Sequence, residues 1–70
     1  MATITNICAW SEPDQDRDGD EYLAHFYCGC DDDGEPVGRL YHASSRDVAI
    51  CQGVIMAKMY KVEFLNETLR

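Results

Sequence analysis

Residues 44–60 read SSRDVAICQGVIMAKMY and form the one long helical pattern in the chain. At 100° per residue, Val48, Ile50, Cys51, Val54, Ile55 and Met59 share one half of the wheel. Arg46, Ala49, Gly53, Met56 and Ala57 share the other. Ser44 or Ser45 serves as N-cap, Asp47 sits in the first turn and Lys58 near the end, each where the helix dipole favours its charge. The pattern predicts a helix over about 45–59 with the Val48 face turned inward. Gly53 in mid-helix costs about 1 kcal/mol relative to alanine, so either something packs closely there or the helix is merely adequate.

Strand patterns flank this helix. Residues 2–10, ATITNICAW, are β-branched and aromatic and read as a strand. Residues 11–20, SEPDQDRDGD, read as a polar loop broken by Pro13 and Gly19. EYLAHFYCGC, residues 21–30, is the clearest strand, with Tyr22, Ala24, Phe26 and Cys28 on one face and Leu23, His25 and Tyr27 on the other. DDDGEP, residues 31–36, carries a hairpin Asp-Gly pair. VGRLYHA, residues 37–43, returns as its partner, and KVEFL, residues 61–65, alternates as a last strand before a polar tail, NETLR. The expected fold is α+β: a small antiparallel sheet in the order β-β-β-α-β with one helix packed on one face. Its expected core holds Ile4, Cys8, Ala24, Phe26, Cys28, Leu40, Val48, Cys51, Ile55, Val62 and Phe64.

A chain of 70 residues makes one domain that buries roughly 60% of its unfolded surface, so little stability is in reserve. No apolar run of about 18 residues is present, and MATITNICAW has no basic or long apolar leader region, so the expected location is cytoplasmic. In that setting Cys8, Cys28, Cys30 and Cys51 are expected as free thiols.

The formal net charge of −7 is unevenly placed. Residues 12–35 hold ten acids, Glu12, Asp14, Asp16, Asp18, Asp20, Glu21, Asp31, Asp32, Asp33 and Glu35, against Arg17 alone. Residues 36–70 are mildly basic. Such a surface repels nucleic acid and anionic membranes and attracts basic protein surfaces. In extended backbone, alternate residues repeat about 6.6 Å apart. Asp14, Asp16, Asp18 and Asp20 are therefore expected as a row of carboxylates beside Glu21, with Asp31, Asp32, Asp33 and Glu35 as a second cluster. Together these nine residues are the expected partner-binding set.

Other chemistry fits less of the chain. Asp14-x-Asp16-x-Asp18-Gly19 matches the front half of an EF-hand calcium loop. The back half has Glu21 where an apolar residue belongs and His25 where a bidentate glutamate belongs. A calcium-binding module over Asp14–Asp20 stands as an alternative, and no tight metal site is expected. Zinc would draw on His25, Cys28, Cys30 and His42, but one Cys-x-Cys has no second knuckle to match it. The sequence has no Gly-rich phosphate loop and no Ser-centred elbow, and so small a two-layer domain leaves little room for a deep cleft. No enzyme and no cofactor are expected.

In its length, acidity, single helix on a small sheet and lack of a catalytic motif, the chain resembles small acidic proteins of phages and mobile elements. Among these it looks most like anti-CRISPR proteins acting on type I CRISPR effectors. That resemblance implies a non-enzymatic, DNA-mimicking inhibitor that binds a Cas subunit and blocks its DNA-binding surface. The strand order and the acidic turn in RDGDEYLAHF, residues 17–26, also resemble antitoxins with a partial RNase H-like fold, which neutralise a small basic toxin. The chain departs from that pattern at YCGCDD, residues 27–32, where a Pro-Gly-Cys segment is usual, and it lacks their helix-turn-helix.

Overall fold

The computed structural model describes residues 3–69. Its elements run β1 (Asn6–Gln15), β2 (Glu21–Cys30), β3 (Pro36–Ala43), α1 (Arg46–Tyr60) and β4 (Glu63–Glu67). The strands form one sheet in the order β3-β2-β1-β4, with the helix packed against it. This is the α+β fold and the β-β-β-α-β order read from the sequence. The sheet is mixed, because the chain crosses with α1 from the β3 edge and β4 joins β1 in parallel. Ala2 of the expected first strand and Arg70 of the tail lie outside the described residues. No helix among the described residues is long and apolar enough to cross a membrane.

The segment expected as a loop is mostly strand. β1 continues through Ser11–Gln15 and pairs residue for residue with β2, from Asn6↔Cys30 to Gln15↔Glu21. Pro13 is compatible with this for a geometric reason. The Asp16 N–H donates to the Asp20 carbonyl at 3.0 Å, which makes them a hydrogen-bonded pair. Counting outward by alternation, the nitrogen of Pro13 points away from β2. On that side β4 reaches only Asn6–Trp10, so no donor is needed there.

Two turns of the same design close the hairpins. Asp16-Arg17-Asp18-Gly19-Asp20 and Asp31-Asp32-Asp33-Gly34-Glu35 each place glycine at φ near +80°. In each, the glycine N–H donates to the carbonyl of the leading aspartate at 3.1 and 3.0 Å. The leading carboxylate then accepts two further backbone N–H groups. Asp16 Oδ1 takes those of Asp18 and Asp20, and Asp31 Oδ1 those of Asp33 and Glu35, all at 2.9–3.0 Å. A short side chain that substitutes for a backbone acceptor is what aspartate offers a turn.

The helix begins where expected, with Ser45 Oγ accepting the Val48 N–H at 3.2 Å. It ends on Lys61 in the left-handed region, with Val62 N–H donating to the Ala57 carbonyl at 3.0 Å. Its inward face is the reverse of the one expected. Ala49, Gly53 and Ala57 are buried, whereas Val48, Cys51, Ile55 and Met59 are exposed, Met59 by 75%. The sheet supplies the reason. Tyr27 and Phe64 rise from it against Ala49, and a Cβ on Gly53 would collide with the Phe64 ring. Large side chains below require small ones above, because the space between helix and sheet is filled once.

The sheet face is likewise the other one. Ala9 pairs with Tyr27 and Ile7 with Phe64, and these residues lie under the helix. Alternation puts Cys8, Trp10, Phe26, Cys28 and Cys30 on the face the helix leaves uncovered. Of the expected core, Ala24 and Cys28 are buried. Ile4, Cys8, Phe26, Val62 and Phe64 are half-buried, and Leu40, Val48, Cys51 and Ile55 are exposed. Ile7, Ala9, Cys30, Ala43, Ala49 and Ala57 complete the buried hydrophobic side chains among the described residues.

A candidate acidic interface

The β1–β2 hairpin outruns its neighbours. β3 pairs with β2 only from His25 onward and β4 with β1 only as far as Trp10. Residues 12–24 therefore project as a two-stranded arm whose strands have no further partner strand among the described residues. The arm carries Glu12, Asp14, Asp16, Asp18, Asp20 and Glu21 against Arg17, and all seven are exposed. From Glu12 to the tip is about 16 Å at 3.3 Å per residue. A net charge of −5 over that length is about one charge per 3 Å, close to the roughly 3.4 Å per phosphate of a DNA strand.

The expected row of four carboxylates is not formed. Asp16, Asp18 and Asp20 lie in the turn rather than in extended backbone, and their carboxylate oxygens come within 4.8 Å of one another. Asp14 is held apart. It accepts the Tyr22 hydroxyl at 3.2 Å and the Gln15 N–H at 2.8 Å. Desolvation, the hydrogen bond to Asp14 and the charges of Asp14 and Asp16 raise the Tyr22 phenol above its ordinary value. The EF-hand half-match fails at the same place, since the carboxylates that converge are 16, 18 and 20, not 14, 16 and 18.

Asp31, Asp32, Asp33 and Glu35 sit in the β2–β3 turn, at the far end of β2 from the arm's tip. The ten residues of β2 separate the clusters by about 30 Å. The nine expected residues thus make two acidic ends rather than one face. Within each end one residue is structural, Asp16 in the arm and Asp31 in the far turn. Asp14 is held by Tyr22 and Gln15, and Asp18, Asp20, Glu21, Asp32, Asp33 and Glu35 are exposed.

The structure also joins groups that the sequence reading left apart. Ser11 and His25 are opposite each other in register, with Ser11 Oγ and His25 Nδ1 at 2.7 Å. The Leu69 N–H donates to the same Ser11 Oγ at 3.0 Å. The group is a clasp fixing the segment after β4 to the base of the arm. Every β1–β2 pair sums to 36, the sum set by the 16–20 turn, so the pairing was legible from DRDGD once that turn is taken as a tight hairpin. The two histidines that a zinc site would draw on are engaged elsewhere. His25 belongs to the clasp, and His42 lies edge-on to Phe26, which stacks on Trp10 at 5.7 Å. Compared with protein-family models, curated proteins and solved structures, the chain gives no match.

Proposed function

We propose that the protein is a non-enzymatic inhibitor that sets its acidic arm into a basic, nucleic-acid-binding groove of a protein complex. A type I CRISPR effector is the partner class implied by the chain's resemblance to anti-CRISPR proteins, which also implies action in the host cytoplasm. The observation that carries the reading is the projecting arm, with six acids against one arginine at nearly the linear charge density of a DNA strand. A narrow two-stranded finger enters a groove that a flat acidic sheet could not.

The test reverses charge without breaking the turns. One variant carries Asp14→Lys, Asp18→Lys, Asp20→Lys and Glu21→Lys with Asp16 kept. The other carries Asp32→Lys, Asp33→Lys and Glu35→Lys with Asp31 kept. Affinity for the effector and displacement of target DNA are measured, with circular dichroism to verify folding. Loss in the arm variant alone supports the reading. An arm variant that binds and inhibits like the parent overturns it. Capture of a small basic toxin instead of an effector favours the antitoxin reading.

The convergence of Asp16, Asp18 and Asp20 within 4.8 Å favours one second reading, a calcium-binding module. Calorimetry decides it: micromolar calcium binding that Asp18→Ala and Asp20→Ala abolish supports this reading, and no heat of binding removes it.

A further inference from the structure

Three of the four cysteines meet on the sheet face that the helix leaves uncovered. Cys8 and Cys28 are opposite each other in the β1–β2 register, and Cys30 follows two residues along the same face. Residues i and i+2 of a strand repeat about 6.6 Å apart, yet Cys28 Sγ and Cys30 Sγ lie 3.7 Å apart. Both side chains therefore turn toward each other. Sulfurs on a tetrahedral zinc ion at about 2.3 Å are about 3.8 Å apart. The two thiols already span one edge of that tetrahedron.

The surroundings extend the match. Cys8, Cys28 and Cys30 line a single cleft of about 260 Å³ together with Trp10 and Glu67. Glu67 ends β4 and pairs with Trp10, close enough for its charge to act on Cys8. Three strands thus bring three sulfurs and one carboxylate to one opening. The Cys8 thiol at present donates to Asn6 Oδ1 at 3.0 Å, and Asn6 is the register partner of Cys30. Metal binding by Cys8 requires that hydrogen bond to break.

We propose that Cys8, Cys28 and Cys30 form a zinc-binding site, with Glu67 at its mouth as the fourth ligand. Zinc binds thiolates, so each coordinating thiol gives its proton to the buffer as its Zn–S bond forms. A divalent cation stabilises the thiolates that coordinate it. Cys51, exposed on the helix, is an internal control.

The experiment titrates the reduced full-length chain with cobalt(II) and then zinc(II). One cobalt per chain is expected, with thiolate-to-metal absorption in the near ultraviolet and the intense visible bands of a tetrahedral centre. One equivalent of zinc bleaches both, and calorimetry in buffers of different ionisation enthalpy reads at least two protons released per zinc. Cys51→Ser retains the site. Cys8→Ser and Cys28→Ser each weaken zinc by more than the roughly 100-fold that an outer-shell change can cost. A pale octahedral cobalt spectrum without sulfur absorption overturns the proposal on the parent chain alone, whether or not the serine variants fold. So does binding that survives Cys28→Ser but is lost with Asp18→Ala, which places the ion on the acidic arm.

Discussion

Single residues in this chain divide by what their side chains hold, not by their charge. Asp16 and Asp31 look like their acidic neighbours in sequence, yet each carboxylate accepts two turn N–H groups. Asp16→Ala is expected to cost about 1 kcal/mol in urea unfolding, in the range of a lost N-cap, while Asp18→Ala stays within about 0.5 kcal/mol. Equal effects of the two would refute the structural role. The thiols give a pH dependence. Burial, then the Cys30 thiol, raises Cys8 and Cys28 from 9.0 to about 12. A raised folded-state value stabilises the fold fully below the unfolded value and is lost as pH climbs through the folded one. The melting temperature should therefore hold to about pH 9 and fall between pH 9 and 12, and less steeply in a Cys8→Ala/Cys28→Ala variant. Labelling the native protein at pH 8 should modify Cys51 quickly and the other three cysteines slowly.

At the scale of the element, α1 shows how a helix apolar on both sides chooses a face. Val48, Ile55 and Met59 carry more hydrophobic surface than Ala49, Gly53 and Ala57, and burying them would remove more area from water. The sheet overrides that preference, because Tyr27 and Phe64 leave room only for small residues. Gly53→Ala gains about 1 kcal/mol of helix propensity but forces the Phe64 ring aside, at an overpacking cost of about 1–3 kcal/mol. Net destabilisation is expected in chemical denaturation. Ile55→Gln and Met59→Gln should change stability by no more than about 0.5 kcal/mol. The opposite ranking would mean that the Val48 face is the buried one.

For the whole molecule, the long dimension of 39 Å follows from the hairpin arm running past β3 and β4. The two acidic turns lie at opposite ends of β2, so a partner would meet them as separate sites. Exposed charges are screened beyond about 10 Å at 0.1 M salt, and each ion pair contributes only about 0–1 kcal/mol. Partner affinity should accordingly fall as salt rises from 50 to 300 mM, mainly through slower association. The arm variant with four lysines should lose that salt dependence, and the Asp32/Asp33/Glu35 variant should keep most of it. Equal salt dependence in both would mean that the arm is not the contact.

The sequence by itself determined the kinds of element and their order. Helix caps, the Asp-Gly turn and period-2 strands are local signals, and local backbone preference is enough to read them. Ser45, the Glu21–Cys30 strand and the single helix all fell where those signals put them. The tertiary structure alone decided the faces. β1 extends over Ser11–Gln15 because β2 is there to pair with it, although the composition of SEPDQ favours a loop. Which side of α1 and which side of the sheet meet depends on how their side-chain volumes fit together. That sum runs over residues as far apart as Ala9, Tyr27, Ala49 and Phe64. The candidate site divides the same way. Acidity, its segment and its turns were legible along the chain. The separation of the two acidic ends, the structural use of Asp16 and Asp31 and the meeting of Cys8 with Cys28 and Cys30 came only with strand register, because register converts distance in sequence into distance in space.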